Sequence, residues 1–456
     1  MSGLRDVLLV LVICPLVPLS FFRPWIGVLA WFWVAYFVPH SFTWGFGRTL
    51  PVAVLVGAPT LLGFLFTRDR SALPRTWAAW GLLVFAVDVT VSTMLAHNPE
   101  LSWEKWDWVI KSLLMTFVTM SLFQDRERLR WLYLVAGVSL ALHGVKGGLW
   151  VLRTGGFERV WGPDKSFFAD NNTLGLALSM ILPVLLGLAR DESRIWLKRS
   201  LRAMFALCII AILFTYSRGA FLGLVVVLTA LAWRSPWRLR FGAALVVVAL
   251  VAAAAAPERL KERIESITLQ DSAETRDTST VGRLEAWQTA THIALNHPFF
   301  GEGFRALWNQ DLWDTFFGQE YLDSRDAHSI YFEVLAEHGF MGLGIYLLVL
   351  ANTLLVLRRV LRRWRGHPEH GYLATYAEMT RTALYPFLVN GAFIGVAYFD
   401  LYFLLVGTSA VLWSLSSRAE AATAAAPVVA AVAPSLPVVS GPRPFPVRIR
   451  GSSSHA

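Results

Sequence analysis

The apolar positions of this chain fall in long unbroken runs, separated by short segments that hold most of the charged and turn-forming residues. An α-helix rises 1.5 Å per residue, so about 20 apolar residues carry it across a hydrocarbon layer roughly 30 Å thick. Runs of that order predict spans at 50–66, 77–95, 107–123, 129–152, 171–189, 201–215 and 219–233. Further spans are predicted at 241–256, 328–357, 379–397 and 400–415. Residues 4–39 allow two readings: Pro15 and Pro18 interrupt the first run, and Arg23-Pro24 separates it from a short second one. They make either two short crossings or one broken element. The pattern predicts an all-α, polytopic transmembrane helical bundle of about 12 spans.

Composition narrows the class. Of 456 residues, 55% are hydrophobic and 16% charged, against roughly 25% charged in a soluble domain. A soluble enzyme, a disordered protein and a disulfide-stapled secreted domain are excluded. Cys14 and Cys208 both sit in apolar stretches, where a lone thiol is a small packing residue, and no disulfide is expected. The apolar N-terminus has no small-residue cleavage site and is followed by further spans, so it reads as retained.

The net charge of +9 suggests a polyanion partner until the charges are placed. Arg68, Arg70 and Arg75 share one short inter-span loop, and Arg126, Arg128 and Arg130 another. Arg190, Arg194, Lys198, Arg199 and Arg202 share a third, and Arg234, Arg238 and Arg240 a fourth. Arg358, Arg359, Arg362, Arg363 and Arg365 fill the fifth. Counting spans between them puts all five on one side, which the positive-inside rule makes cytoplasmic. The basic balance records topology, and no nucleic-acid partner is expected.

The same alternation leaves 153–170, the turn at Ser217–Gly219 and the long segment 257–327 on the outer face. That segment carries helix signals at Glu258–Ile267 and Gly282–Asn296, a stop at His297-Pro298 and a turn at Gly301-Glu302-Gly303. It is too long and too structured for a connector, so the functional face is expected to be the outer one. The predicted organisation is N-terminal spans at 1–256, a large helical periplasmic loop at 257–327, C-terminal spans at 328–417 and a disordered cytoplasmic tail at 418–456.

Charged groups at membrane depth are costly, which makes each a functional candidate. Arg218, in Thr215-Tyr216-Ser217-Arg218-Gly219, stands where two spans meet at the outer surface. Its guanidinium fork suits phosphate oxygens, although a snorkelling helix anchor has the same position. Arg283, in Gly282-Arg283-Leu284-Glu285-Ala286-Trp287, opens a helix where a cation opposes the macrodipole unless an anion sits beside it. On the residues alone, an ordinary surface arrangement with Glu285 or Trp287 is the favoured account of it.

His328, in Arg325-Asp326-Ala327-His328-Ser329, lies where the outer segment meets the next span. A histidine there can take a proton near neutral pH or carry charge beside a phosphate. His338, His143 and His97 read as structural. Lys146, Arg153, Arg159 and Lys165, with Asp170-Asn171-Asn172, form an outer rim that would draw anions, with snorkelling as the alternative. The sequence lacks a phosphate-binding Gly-rich loop, a His-Glu-x-x-His helix, a Cys/His metal cluster and a nucleophile elbow. No metal or cofactor is expected, which leaves metal-independent chemistry on an anionic lipid substrate.

In these motifs the chain resembles the O-antigen ligases, within a superfamily that also holds O-antigen polymerases and bacterial O-oligosaccharyltransferases. The resemblance rests on His328-Ser329 followed by Gly339 and Gly342, on Ser217-Arg218-Gly219, and on Gly282-Arg283-x-x-x-Trp287 with Pro298-Phe-Phe-Gly-Glu-Gly303. Arg23-Pro24-Trp25 and Asp170-Asn171-Asn172 are similar to the exosortase-associated O-glycosylation ligase subgroup. The resemblance implies an inner-membrane enzyme with its site facing the periplasm. It would transfer a glycan from undecaprenyl diphosphate to a sugar hydroxyl of lipid A–core, with inversion and without metal. For the implied reaction Arg218 and Arg283 are the best-placed guanidiniums to bind the diphosphate, and His328 is the best-placed base or a phosphate ligand. The rim residues Lys146, Arg153, Arg159 and Asn172 are the candidate substrate-binding residues. Polymerase, protein O-oligosaccharyltransferase and flippase activities are the rival expectations.

Overall fold

The computed structural model describes residues 2–233, 278–317 and 326–432. The predicted span at 241–256, the predicted helix at 258–267, Arg325 and the tail beyond 432 lie outside the described residues. Every regular element among the described residues is helical. Residues 4–39 lie in two helices, α1 (Ser2–Phe22) and α2 (Pro24–Phe37). They break at Arg23, and Pro24, with no N–H to donate, occupies the first position of α2. Then follow α3 (Val52–Phe66), α4 (Trp77–Met94), α5 (Pro99–Leu122), α6 (Arg126–Thr154), α7 (Asn171–Asp191), α8 (Ile195–Leu213) and α9 (Arg218–Trp233). After the undescribed stretch come α10 (Thr278–Asn296), α11 (Gln310–Phe317), α12 (Ile330–Trp364), α13 (Gly371–Asn390) and α14 (Asp400–Val432).

Six of these helices, α1, α4, α6, α7, α12 and α14, are long and apolar enough to cross a membrane; α2, α3 and α9 are apolar but shorter. These six compare with about 12 spans predicted from the sequence. The other predicted spans among the described residues coincide with shorter or more polar helices. By their contacts the described residues up to 416 form one unit and those from 417 on a second. The tail reading needs correction at its start, because α14 runs past Arg418 to Val432. The Ala-rich sequence there lacks a spanning pattern but has the highest intrinsic helix propensity.

The linkers of the first unit gather at two ends. At one end Arg126 and Arg128 pair with Asp191 (2.8 Å) and Asp69 (2.6 Å), Arg130 pairs with Glu192, and Tyr376 donates to Asp191 (2.8 Å). The basic segments around 68–75, 126–130 and 190–194 therefore meet, as the alternation of basic loops predicts. At the other end Arg48 faces Asp164 (3.6 Å), the Val160 amide donates to Phe214 O (3.0 Å), and the His97 amide donates to Glu302 O (3.3 Å).

Close helix crossings use small residues, the arrangement expected where lipid supplies no hydrophobic drive for association. At Gly148, where α6 crosses α8, a Cβ would stand 2.5 Å from the backbone oxygen of Leu207. A backbone atom cannot swing aside, so Gly148→Ala is expected to force the two helices apart and destabilise the protein by about 1–3 kcal/mol. Thermal unfolding in detergent measures this.

Candidate active site

At the end bearing Gly301 and Asp326, four segments converge on a buried charge cluster. Helix α5 starts cleanly: Asn98 caps it by accepting from the Leu101 amide (3.2 Å), and Pro99 sits in its first turn. Two turns on, it presents Lys105. In α12, Glu333 and Glu337 are four residues apart and share a face. Lys105 Nζ lies 2.9 Å from Glu333 Oε1 and 2.8 Å from Glu337 Oε1. Glu337 also accepts from the Arg305 amide (2.7 Å) and the Tyr398 hydroxyl (2.6 Å), and Glu333 from the Ala397 amide (2.9 Å). Burial, with Glu337 and Glu333 beside it, pushes the Tyr398 phenol well above its ordinary pKa, so it stays a donor.

Helix α12 is broken in its third turn by Gly339, at φ 65° and ψ −168°. Only glycine adopts that conformation without penalty. The break releases the carbonyls of Ala336 and Glu337, and the loop 298–303 takes them through the amides of Glu302 (3.1 Å) and Gly303 (3.0 Å). The Phe340 amide in turn donates to Pro298 O (2.8 Å). Thus the Pro-Phe-Phe-Gly-Glu-Gly loop and the His-x₁₀-Gly motif are one hydrogen-bonded construction. His338 is fully buried in it, with Nδ1 2.9 Å from Ser92 Oγ, and its ring meets Phe304 edge-on. His143 is likewise buried, Nε2 3.0 Å from Tyr36 O, so the structural reading of both histidines agrees with their surroundings.

In front of Lys105 lies a cavity of about 430 Å³, whose polar lining is Glu104, Lys105, Arg305, Asp326, Glu333 and Glu337. Trp108, Phe167, Trp308 and Tyr398 supply aromatic surface. His328, Arg218 and Arg283 are not among its lining residues, but Asp326 is. His328 itself is exposed and adopts φ 45°, a left-handed backbone uncommon outside glycine. Its neighbours hold it there: the Trp287 indole donates to Ala327 O (2.8 Å) and stacks on Phe332 at 4.8 Å, while Ser329 and Ile330 are buried. The Gly-Arg-x-x-x-Trp helix carrying Arg283 is thereby docked on the segment carrying His328.

Arg218 opens α9, whose first turn is capped by Ser217 Oγ accepting from the Ala220 amide (3.2 Å). It is exposed, and the adjacent Gly219 packs against Asn390 at the end of α13. Tyr331 donates to Leu388 O (2.9 Å) in the same helix. The end of α13 therefore stands between the Arg218 turn and the start of α12. Of the predicted rim, Lys146, Arg153, Arg159 and Asn172 are all exposed and none lines the cavity. Lys146 Nζ lies 5.5 Å from the centre of the Phe42 ring. Burial and the nearby Lys165 lower the His40 pKa from its usual value, so His40 is neutral at pH 7 and adds no charge there.

Within Asp-Asn-Asn, Asn171 is the buried residue, donating from Nδ2 to Thr215 O (2.8 Å) and so tying the start of α7 to the Arg218 turn. Asn171→Ala is expected to strand that carbonyl and to cost about 1–3 kcal/mol, readable as a lowered melting temperature. Sequence reasoning missed Lys105, Glu333, Glu337 and Tyr398. The signal was present for the two carboxylates, a pair at i, i+4 opening an apolar helix, which is expensive without a cation to face it. The identity of that cation is a tertiary fact.

Comparison with protein families gives two matches. Residues 203–347 match the family described as O-antigen ligase. Residues 4–193 match a family of unknown function, DUF5935. No curated protein matches the chain.

Proposed function

We propose, from the O-antigen ligase family to which residues 203–347 belong, that this membrane protein is an O-antigen ligase. It would move a glycan from undecaprenyl diphosphate to a sugar hydroxyl of lipid A–core at the periplasmic face of the bacterial inner membrane. The observation that carries the reading is the docking of the Arg283 helix on the His328 segment through Trp287 and Ala327. It ties two of the three motifs that prompted the resemblance into one construction.

The acceptor oxygen attacks the anomeric carbon, the bond from that carbon to the phosphate oxygen breaks, and undecaprenyl diphosphate departs. The configuration inverts. His328 takes the hydroxyl proton, or holds the phosphate as an imidazolium. Arg218 and Arg283 neutralise charge developing on the leaving diphosphate. Lys146, Arg153, Arg159 and Asn172 would draw and hold the anionic substrates at the rim. A left-handed backbone held at a motif histidine supports a functional role for it, since such strain persists where the surroundings enforce it.

The test is reconstitution of purified protein with undecaprenyl diphosphate-linked glycan and lipid A–core in the presence of a chelator. Glycan-bearing core is the expected product. Longer lipid-linked chains would instead identify a polymerase, and glycosylated protein an O-oligosaccharyltransferase. A rate that rises with pH marks His328 as a base, and one that falls marks an imidazolium.

A further inference from the structure

The cavity in front of Lys105 has a composition unlike that of a diphosphate site. Its ionisable lining sets four carboxylates, Glu104, Asp326, Glu333 and Glu337, against two cations, Lys105 and Arg305. Both cations are already engaged. Lys105 is held between Glu333 and Glu337, and the Arg305 guanidinium makes two bonds to Glu104 (2.9 and 3.2 Å). A phosphate brought here meets net negative charge in a partly desolvated space, where like charges repel strongly.

The lining has unused acceptor capacity. Each oxygen of Glu333 accepts one hydrogen bond, leaving a lone pair on each, and a carboxylate has about four acceptor sites in all. Asp326 is half-buried at the cavity, its two oxygens 3.0 and 3.1 Å from the position a Cβ would take on Gly395. Flat apolar surface stands nearby: Trp108 packs on Phe167 at 4.9 Å, and Trp308 is half-exposed beside the Arg305 guanidinium. Carboxylates that accept from hydroxyl groups, set against aromatic faces that pack on the C–H face of a ring, are the chemistry that recognises a sugar. The volume lies within the range of about 300–1,000 Å³ usual for small-ligand sites.

We propose that this cavity is the acceptor's sugar subsite and that it takes an uncharged pyranose ring, with Asp326 and Glu333 accepting from its hydroxyls and Trp308 packing on its face. The diphosphate of the donor is excluded from it by charge. Asp326 lies two residues before His328, so a ring bound here is carried by the same segment as the proposed base. The inference rests on the glycosyl-transfer reading and specifies where its acceptor sits.

Two measurements on the full chain in nanodiscs separate the failures. The first is saturation-transfer NMR with neutral hexose and heptose oligosaccharides and with the phosphorylated counterpart of each, which needs no turnover. At least one neutral member is expected to give a signal that both Trp308→Ala and Asp326→Asn reduce, and its phosphorylated form a weaker one. Trp308 is half-exposed and Asp326→Asn is isosteric, so neither change should unfold the protein. If no neutral sugar gives a signal sensitive to these variants, or if the phosphorylated form binds better, the subsite is overturned whatever the reaction proves to be.

The second measurement compares transfer with hydrolysis of undecaprenyl diphosphate-linked glycan without acceptor. Both variants are expected to raise the acceptor KM about 10-fold or more and to leave donor hydrolysis unchanged. Loss of donor hydrolysis with an unchanged acceptor KM would assign the cavity to the donor and overturn the proposal. Sugar binding without any transfer by the wild-type protein would keep the subsite and remove the ligase reading.

Discussion

His328→Ala is expected to reduce glycan transfer by about 10²–10⁴-fold, the contribution of a positioned proton acceptor. Arg218→Ala and Arg283→Ala are each expected to reduce it by about 10²–10³-fold, the cost of one electrostatic donor to a leaving group. The alanine result at 328 mixes two effects, because His328 holds a left-handed backbone (φ 45°) that alanine adopts at a cost of roughly 1–2 kcal/mol. Asparagine tolerates that region. His328→Asn is therefore expected to keep the melting temperature while losing transfer, which assigns the loss to the imidazole. His338→Ala provides the contrast. Its ring is fully buried against Phe85, Phe304 and Tyr398, so removal leaves a cavity costing about 2–5 kcal/mol. The protein that stays folded at low temperature should still transfer glycan. Activity per folded molecule, read beside thermal unfolding, distinguishes the two histidines. A His338→Ala protein that is folded but inactive, beside an active His328→Ala, would reverse the assignment.

Lys105→Met is expected to be the most destabilising single change at the site. The Lys105 side chain is 14% exposed and those of Glu333 and Glu337 are 8% and 5% exposed, so all three have been taken largely out of water. Removing the cation leaves two carboxylates facing each other in the protein interior, a loss of about 3–5 kcal/mol for breaking a buried pair. The ammonium also stands 4.6 Å from the Tyr398 ring centre, and this contact is lost with it. Replacing the cluster as a whole should cost far less than removing one member, because desolvated charge left unpaired is what destabilises. Lys105→Met with Glu333→Gln and Glu337→Gln is therefore expected to recover much of the melting temperature lost in Lys105→Met alone. Additive losses across the three changes would mean that the groups do not act as a unit. Transfer should not return with stability in the triple variant, since Glu333→Gln replaces one of the two acceptor oxygens facing the cavity with an NH2 donor.

The sequence by itself determined the helical class, the apolar runs, the alternation of basic loops and the three motifs. Each of these is local: a run of apolar residues is a helix in lipid wherever it packs, because every backbone group must be satisfied within the segment. The Arg23-Pro24 break and the start of α7 at Asn171 (Asp170 caps it) are local in the same way. By contrast, α5 starts at Pro99 and not at the predicted 107, because its first turns are polar and carry no apolar run. The extension of α14 to Val432 was missed because a spanning criterion does not detect an Ala-rich helix. Which candidates meet was decided only by tertiary structure. Lys105 is 228 residues from Glu333 in sequence, and neither a period nor a motif links an isolated cation to carboxylates at that separation. The same holds for Asn171, whose role follows from the Thr215 carbonyl, and not from the Asp-Asn-Asn run in which it stands. It holds again for His328 and His338, ten positions apart on one motif. The kink at Gly339 and the loop 298–303 bury the second, while the first stays exposed on a strained backbone. Burial and long-range pairing are properties of the packed chain, and they separate structural charges from those left to meet a substrate.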